Sequence, residues 1–376
     1  TLYKLSHEGF VFTNYYNSMP NVTTNGEYAF VSGLMPDFTR AKTDASMKYS
    51  ENDYTPYCLG NMFDSINVPT YAYHNYYGYY YDREYTYPNM GYETIKFMGD
   101  GMEFSTEWPT SDLEMLEQSV DDYINEPQFH AYYMTFSGHY QYNFRTNPMC
   151  IRNEDFVADM PYGEAVSAYI ACNNELEKAL TYLMQRLDEA GIADKTVIVL
   201  TGDHYPYGLE DYEYNELAGR EIDTTFGKYK GSFICWSGGM DRPVLVNDYC
   251  CNIDILPTLL NLFGFEYDSR LLAGTDVLSN SMHMAVLSNG SILTSKLRYD
   301  ADNDQMTFTD GNSNVNAGYV EKVRQAASNK FVISNAILYN DYYRFVYDNY
   351  ENVKVTAPQG GEEGETQDAE GEQVEP

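Results

Sequence analysis

Two stretches of this chain end an apolar strand in a glycine turn and put a histidine directly after it. Val197-Ile198-Val199-Leu200-Thr201 runs into Gly202-Asp203-His204, and Phe129-His130-Ala131-Tyr132-Tyr133-Met134-Thr135-Phe136 runs into Ser137-Gly138-His139. In an α/β protein the carboxyl ends of strands are where ligands bind, because that edge is open and the strand fixes the geometry. Asp203 offers oxygen and His204 nitrogen, a donor pair that suits a hard or borderline divalent cation. The plainer alternative has Asp203 capping a turn and His204 merely exposed. The chain holds only six histidines, so the repeated pattern reads as an active site, with both imidazoles expected over one sheet edge.

A third stretch offers a hydroxyl. Asn21-Val22-Thr23-Thr24-Asn25-Gly26-Glu27 reads as a polar loop, followed by an apolar stretch that ends at Leu34-Met35-Pro36. The paired threonines could simply cap a helix. They could also supply a nucleophile, because a threonine hydroxyl becomes reactive when a base or a bound cation lowers its pKa. The local pattern leaves both readings open.

The elements that must position these groups alternate between helix and strand over residues 1–285, which predicts a mainly parallel central sheet flanked by helices. Leu2-Tyr3-Lys4-Leu5 ends a helix that leads into a strand over Gly9 to Tyr16. Glu164 to Ala190 carries apolar residues at helical spacing and stops at Gly191. Asp254 to Gly264 is a further helix, with Pro257 tolerated near its start. Residues 286–355 predict a small α+β subdomain: strands over Ser291–Tyr299 and Gln305–Thr309, then helices over Val320–Ser328 and Ile333–Arg344. From Thr356 onward the chain is acidic, has no aromatic residue and cannot offset its chain entropy by burial, so residues 356–376 are expected to be a disordered tail.

The chain has 376 residues and a net charge of −33. No basic patch is available to displace counterions, which argues against nucleic acid as a partner, and the charge gives no general attraction to anionic lipid. Its 39 tyrosines suit surfaces that bind sugars, polyols or lipid headgroups, although composition bias explains them equally well. None of the six cysteines forms a CxxC pair; Cys172 and Cys235 look like small core residues, and Cys58 and Cys150 could bridge. No apolar run is long enough to span a bilayer.

Taken together, Thr23 through Pro36, Gly138-His139, Gly202-Asp203-His204, Asp254-Ile255-Leu256-Pro257-Thr258 and Leu272-Ala273-Gly274-Thr275-Asp276 resemble, in the same order, the extracellular domain of lipoteichoic acid synthases, enzymes of the alkaline phosphatase/sulfatase superfamily. The resemblance covers about residues 1–350 and leaves out the tail. It implies a catalytic domain over 1–285 and a metal-dependent transfer of glycerol phosphate from a phosphatidylglycerol-like lipid to a polyol-phosphate acceptor of lipoteichoic-acid type. Thr23 would be the nucleophile and a metal ligand, Asp203 and His204 the other ligands present, and His139 the histidine that contacts substrate or protonates the leaving group. One divalent metal is implied, Mn²⁺ first, with Mg²⁺ and Zn²⁺ compatible. His74 opens the segment that carries Arg83, expected to grip the glycerol phosphate, and Tyr81 stands where the family usually has Trp. The family's remaining ligand is a Glu on a first strand well ahead of the nucleophile. Thr23 has only twenty-two residues before it, so that strand is expected to be missing here, with Glu8 too close to replace it. The resemblance also implies a membrane-anchored parent working on the outer face of a Gram-positive-type cell. A phosphoethanolamine transferase, another hydrolase of the superfamily and a non-catalytic wall-polymer-binding module are the alternatives. A sulfatase proper is disfavoured, because no Cys-x-Pro-x-Arg stretch is present.

Overall fold

The computed structural model describes residues 1–38, 45–309 and 316–349. The expected tail over 356–376 lies outside them. Strand β1 is Phe10–Tyr16, β2 Thr70–His74, β3 Thr94–Met98, β4 Gly101–Met102, β5 His130–Met134 and β6 Val197–Thr201. Strands β7 Phe233–Ser237 and β8 Val244–Cys251 complete the larger part; β9 Ala285–Val286, β10 Ile292–Leu293, β11 Leu297–Asp300 and β12 Gln305–Phe308 follow.

The strands form an α/β architecture in three four-stranded sheets. One, in the order β4-β3-β2-β5, is parallel throughout. A second, in the order β6-β7-β1-β8, pairs β1 with β8 in parallel and places β7 antiparallel between β6 and β1. The third, β12-β11-β10-β9, is antiparallel and belongs to the small carboxyl-terminal region.

Helix Leu2–Glu8 feeds β1 and helix Glu164–Glu189 precedes β6, as the periodicity of their apolar residues predicts. Leu180 and Leu187 of the long helix share a core with Ile198 of β6 and with Ile234 and Trp236 of β7. Helix Ile255–Leu262 is almost wholly buried and carries Pro257 in its first turn, where a missing N–H costs no helical bond. No described helix is long and apolar enough to cross a membrane.

Four expectations need correction. Strands β5 and β6 do not share a sheet edge; each is the edge strand of a different sheet. The expected strand Ser291–Tyr299 is a hairpin, β10 and β11, whose turn Thr294 ties with its own hydroxyl. The two helices expected over 320–344 are one, Ala317–Tyr339, and a short helix Tyr342–Asp348 follows Asp341 in a left-handed conformation. Lys330, between the two expected helices, stays helical with its ammonium satisfied indoors, donating to the Ala273 carbonyl at 2.7 Å. All six cysteines are free and buried, and Cys58 and Cys150 sit in different core clusters. One core cluster runs from Tyr28 and Val31 through Ala285, Val286 and Leu293 to Val323 and Ile337, joining the small region to the larger one.

Candidate active site

The site forms where the carboxyl ends of β5, β6, β1 and β2 converge on one large cavity of about 1010 Å³. Thr23, His74, Arg83, His139, Asp203 and His204 all line it.

Thr23 is not in a loop; it is the first residue of helix Thr23–Ser32, and the cap position belongs to Val22. Val22 has φ 66°, a left-handed conformation that is costly for a β-branched residue and persists only where the surroundings enforce it. The Thr23 hydroxyl makes no hydrogen bond among the described residues, and the amino-terminal end of a ten-residue helix lies beneath it. Gly26 is needed because a Cβ built there would stand 1.9 Å from the Asp203 carbonyl oxygen. This close approach packs the first turn of the Thr23 helix directly on the Gly202-Asp203-His204 turn.

That turn is tied to β1. Asn17 donates from its amide to the Gly202 carbonyl at 2.7 Å, and the Thr201 hydroxyl bonds the Tyr15 phenol at 2.9 Å. His204 gives its Nδ1–H to the Tyr205 carbonyl at 2.8 Å, which leaves the Nε2 lone pair free, 3.1 Å from an Asp203 carboxylate oxygen. Two donors sharing one metal at about 2.1 Å stand roughly 3.0–3.5 Å apart, so carboxylate and imidazole fit a single ion as they lie. Thr23 would add a hydroxyl oxygen. Among the described residues no group of three or more His, Cys, Asp and Glu side chains converges on a metal position.

Arg83 is wholly buried, and its surroundings account for most of its donors. Nε and Nη2 go to Glu27 at 3.0 and 2.7 Å, and Nη1 reaches the Tyr80 carbonyl at 3.0 Å and His74 Nε2 at 3.3 Å. Glu27 also accepts from the Tyr87 and Tyr132 hydroxyls at 2.6 and 3.2 Å. Burial pulls the Arg83 pKa down, and the adjacent Glu27 carboxylate more than reverses this, so the guanidinium is held charged. His74 donates Nδ1–H to the Met134 carbonyl and accepts from Arg83, and burial followed by the Arg83 charge holds it neutral. The Tyr81 ring lies 5.4 Å from the Arg83 guanidinium carbon, with Tyr81 at φ 63°.

His139 packs edge-on against Trp108, ring centres 4.7 Å apart, and its carbonyl is held by the Asn147 amide at 3.0 Å. Burial lowers its pKa below the ordinary histidine value; the Tyr140 carbonyl and Asp203 partly oppose that. The turn before it hangs on Asp112, fully buried, which accepts from the Phe136 and Ser137 amides at 2.7 and 3.1 Å and from Asn75 at 2.9 Å. Tyr207 closes the rim, against His204 at 5.0 Å and Tyr140 at 4.9 Å.

The structure therefore brings Thr23, His139, Asp203, His204 and Arg83 to one cavity, with His74 behind Arg83 and Tyr81 over it. Sequence reasoning passed over the residues that hold them: Glu27, Asp112, Asn17, Asn147 and Trp108. Only Asn147, directly ahead of Pro148, carried a local signal, that of a helix cap.

The fold belongs to a phosphotransferase- or hydrolase-type enzyme, and comparison with known proteins gives the family. The Sulfatase family profile matches residues 1–265, and the chain belongs to that family. It is similar to the lipoteichoic acid synthase-like YvgJ of Bacillus subtilis, 23% identical over 86% of this chain and 52% of that protein. It is also similar to the lipoteichoic acid synthase of Staphylococcus saprophyticus, 26% identical over 74% of this chain and 42% of that one. The chain thus spans about half the length, or less, of these curated relatives. Among solved structures, the lipoteichoic acid synthase LtaP of Listeria monocytogenes superposes with a TM-score of 0.72 over 90% of this chain and 86% of that chain, at 19% identity. A Vibrio parahaemolyticus protein of the alkaline phosphatase superfamily gives 0.66, at 15% identity over 90% of this chain and 81% of that chain.

Proposed function

We propose that this domain transfers glycerol phosphate from a phosphatidylglycerol-like lipid to a polyol-phosphate acceptor of lipoteichoic-acid type, through a covalent intermediate on Thr23. The observation that supports this reading most is the unpartnered Thr23 hydroxyl at a helix start, packed through Gly26 against the Asp203-His204 turn and sharing a cavity with Arg83 and His139. Thr23, Asp203 and His204 would hold one divalent metal, Mn²⁺ by preference. When bound it lowers the threonine pKa and offsets phosphoryl charge.

The chain's own residues do the rest. The Thr23 oxygen attacks phosphorus, the bond to the diacylglycerol oxygen breaks, and diacylglycerol leaves with a proton. On this reading the helix amino terminus and, from behind its pairing with Glu27, the charged Arg83 would offset the negative charge that builds on the phosphoryl oxygens. Arg83 acts as an electrostatic anchor whose orientation Glu27 and His74 fix; His74 works through Arg83 as a positioning residue. His139, neutral near pH 7, presents a ring nitrogen to a glycerol or acceptor hydroxyl and can take its proton in the second transfer. Tyr207, which lines the cavity, would form an apolar wall for the glycerol carbons, whereas Tyr81 lies over Arg83 and is not among the lining residues. The reading places the domain on the outer face of a membrane, attached through chain beyond the residues described.

Diacylglycerol release from phosphatidylglycerol vesicles with Mn²⁺ is the test. Release that disappears in Thr23→Ala, together with loss of a glycerophosphoryl adduct on Thr23 by mass spectrometry, is the expected result. Undiminished release from Thr23→Ala overturns the nucleophile assignment, and an adduct formed from phosphatidylethanolamine but not phosphatidylglycerol overturns the headgroup.

A further inference from the structure

Two of the buried thiols meet behind the site. Cys150 lies in the short helix Pro148–Arg152 and Cys172 in the long helix Glu164–Glu189, and neither is exposed. A helical side chain leans back over the preceding turn, so Cys172 covers the backbone of residues 168 and 169. Its sulfur donates to the Tyr169 carbonyl at 3.2 Å, and the Cys150 sulfur donates to the neighbouring Ala168 carbonyl at 3.3 Å. Both sulfurs therefore sit over one helical turn, within hydrogen-bonding reach of each other, in a small core with Met149 and Ala168. The other thiols are placed differently. Cys235 and Cys250 pair with Phe10 and Tyr15 of β1, positions separated by about 16 Å along one strand. Cys250 and Cys251 are consecutive in β8 and belong to different cores, and Cys58 is hydrogen-bonded to Thr55.

The pair anchors the segment that carries His139. Asn147 caps helix Pro148–Arg152 by accepting from the Met149 and Cys150 amides at 3.0 and 3.2 Å. The same side chain donates to the His139 and Gln141 carbonyls at 3.0 and 3.1 Å. Tyr142, whose hydroxyl reaches the Gly138 carbonyl at 3.4 Å, packs on the thiol core together with Phe144. A helix of five residues has almost no stability of its own. Whatever ties it to the long helix also holds His139 in place.

We propose that Cys150 and Cys172 form a disulfide that locks helix Pro148–Arg152 to helix Glu164–Glu189 and so fixes the loop of His139, the reduced pair being the looser form. Sulfurs this close need to shift only about 1–2 Å to bond. The oxidant is a small disulfide compound or a disulfide-bearing oxidoreductase. Attack of the Cys150 thiolate on the donor disulfide makes a mixed disulfide and releases one donor thiol. Attack of Cys172 on the Cys150 sulfur closes the bridge and releases the second. Two cysteine thiols are oxidised, one donor disulfide is reduced, and the protons end on the two donor thiols. Cys150 reacts first, because its hydrogen bond with Cys172 holds its pKa below the ordinary thiol value and raises that of Cys172. Both sulfurs are buried, so exchange takes place as the chain folds or when the short helix opens locally. Disulfides persist outside the cytosol, the location proposed for this domain, but the pairing stands on the two helices and not on the reaction at the site.

The experiment incubates the full chain with reduced or with oxidised glutathione, blocks the remaining thiols with N-ethylmaleimide in denaturant, and maps peptides without reduction. The expected result after oxidation is one cross-linked peptide, Cys150 with Cys172, and the other four of the six cysteines blocked. Six blocked cysteines, a bridge between any other pair, or glutathione left on Cys150 overturns the proposal. Amide hydrogen exchange over residues 138–147 is then compared between the two forms. It should slow by roughly 10-fold on oxidation, and the slowing should be absent from Cys172→Ala. Equal exchange in the two forms of the unsubstituted chain also overturns the proposal, whether or not the variant folds. Neither measurement involves lipid or metal, so the outcome is separate from that of diacylglycerol release.

Discussion

Removing the Glu27 carboxylate should unfold much of the site from below. Glu27 and Arg83 side chains are 0% and 1% exposed, and the pair is held by three N–H contacts from Arg83 and two phenol hydroxyls. Breaking a buried pair by deleting one partner costs about 3–5 kcal/mol, because the other charge stays buried and unpaired. Tyr87 and Tyr132 lose their acceptor as well, each worth about 1–3 kcal/mol when orphaned, though these groups form one network and do not add fully. Glu27→Ala should therefore lose roughly 4–6 kcal/mol, a large share of the 5–15 kcal/mol typical of a whole domain. Adding Arg83→Met removes the stranded charge, so the double variant should recover about 1.5–3 kcal/mol relative to the sum of the singles. Urea unfolding followed through Trp108 and Trp236 fluorescence measures both. A loss under about 1 kcal/mol for Glu27→Ala, or strict additivity in the cycle, would refute the account of Arg83 as a charge pinned by Glu27.

Other consequences are equally direct. Gly26→Ala should push the Thr23 helix off the Asp203 turn, lowering transfer by about 10²-fold or more at a stability cost of only about 1–3 kcal/mol; near-normal turnover would show that the 1.9 Å approach does not set the site's geometry. Asp203→Asn and His204→Ala should each weaken Mn²⁺ binding measured by calorimetry while leaving the melting temperature of the metal-free protein nearly unchanged, and unaltered binding in both would remove them as ligands. Burial and then the Asp341 carboxylate raise the pKa of Asp53 from 3.8 to about 7, with Arg344 opposing. Its folded form thus holds a proton that the unfolded chain releases near pH 4, and the stability this gives is lost as pH rises through about 7. Asp53→Asn, which stays neutral, should gain on the parent as pH rises from about 4.5 to about 8, reaching roughly 1–2 kcal/mol after allowance for partial exposure. A constant difference across that range would mean the carboxyl titrates normally.

Particular elements show what was legible in advance. Strand β6 with its Gly202-Asp203-His204 turn, the helix Glu164–Glu189 and the buried helix around Pro257 could be read from apolar periodicity and glycine stops, because those signals are local and strong. The family could be read too, since its motifs are contiguous and their order survives any folding. The single helix through Lys330 could not, because its ammonium is satisfied by the Ala273 carbonyl, a partner far away in sequence, and the turn of hairpin β10–β11 rests on one Thr294 hydroxyl inside a run that otherwise reads as continuous strand.

The sequence alone determined which chemistry was on offer: a threonine, an Asp-His pair and a second histidine after a glycine turn, in an acidic chain. Only the tertiary structure decided how those groups are held. It made Thr23 the first residue of a helix rather than part of a loop and gave Gly26 its purpose through a carbonyl 177 residues away. It turned Arg83 from a free hand into one gripped by Glu27, and put His139 and His204 on the facing edges of two sheets rather than on one. The physical reason is the same each time. Residue type and local period are written in short stretches of chain, whereas burial, charge pairing and the closing of strand edges are settled between residues that meet only when the chain has folded.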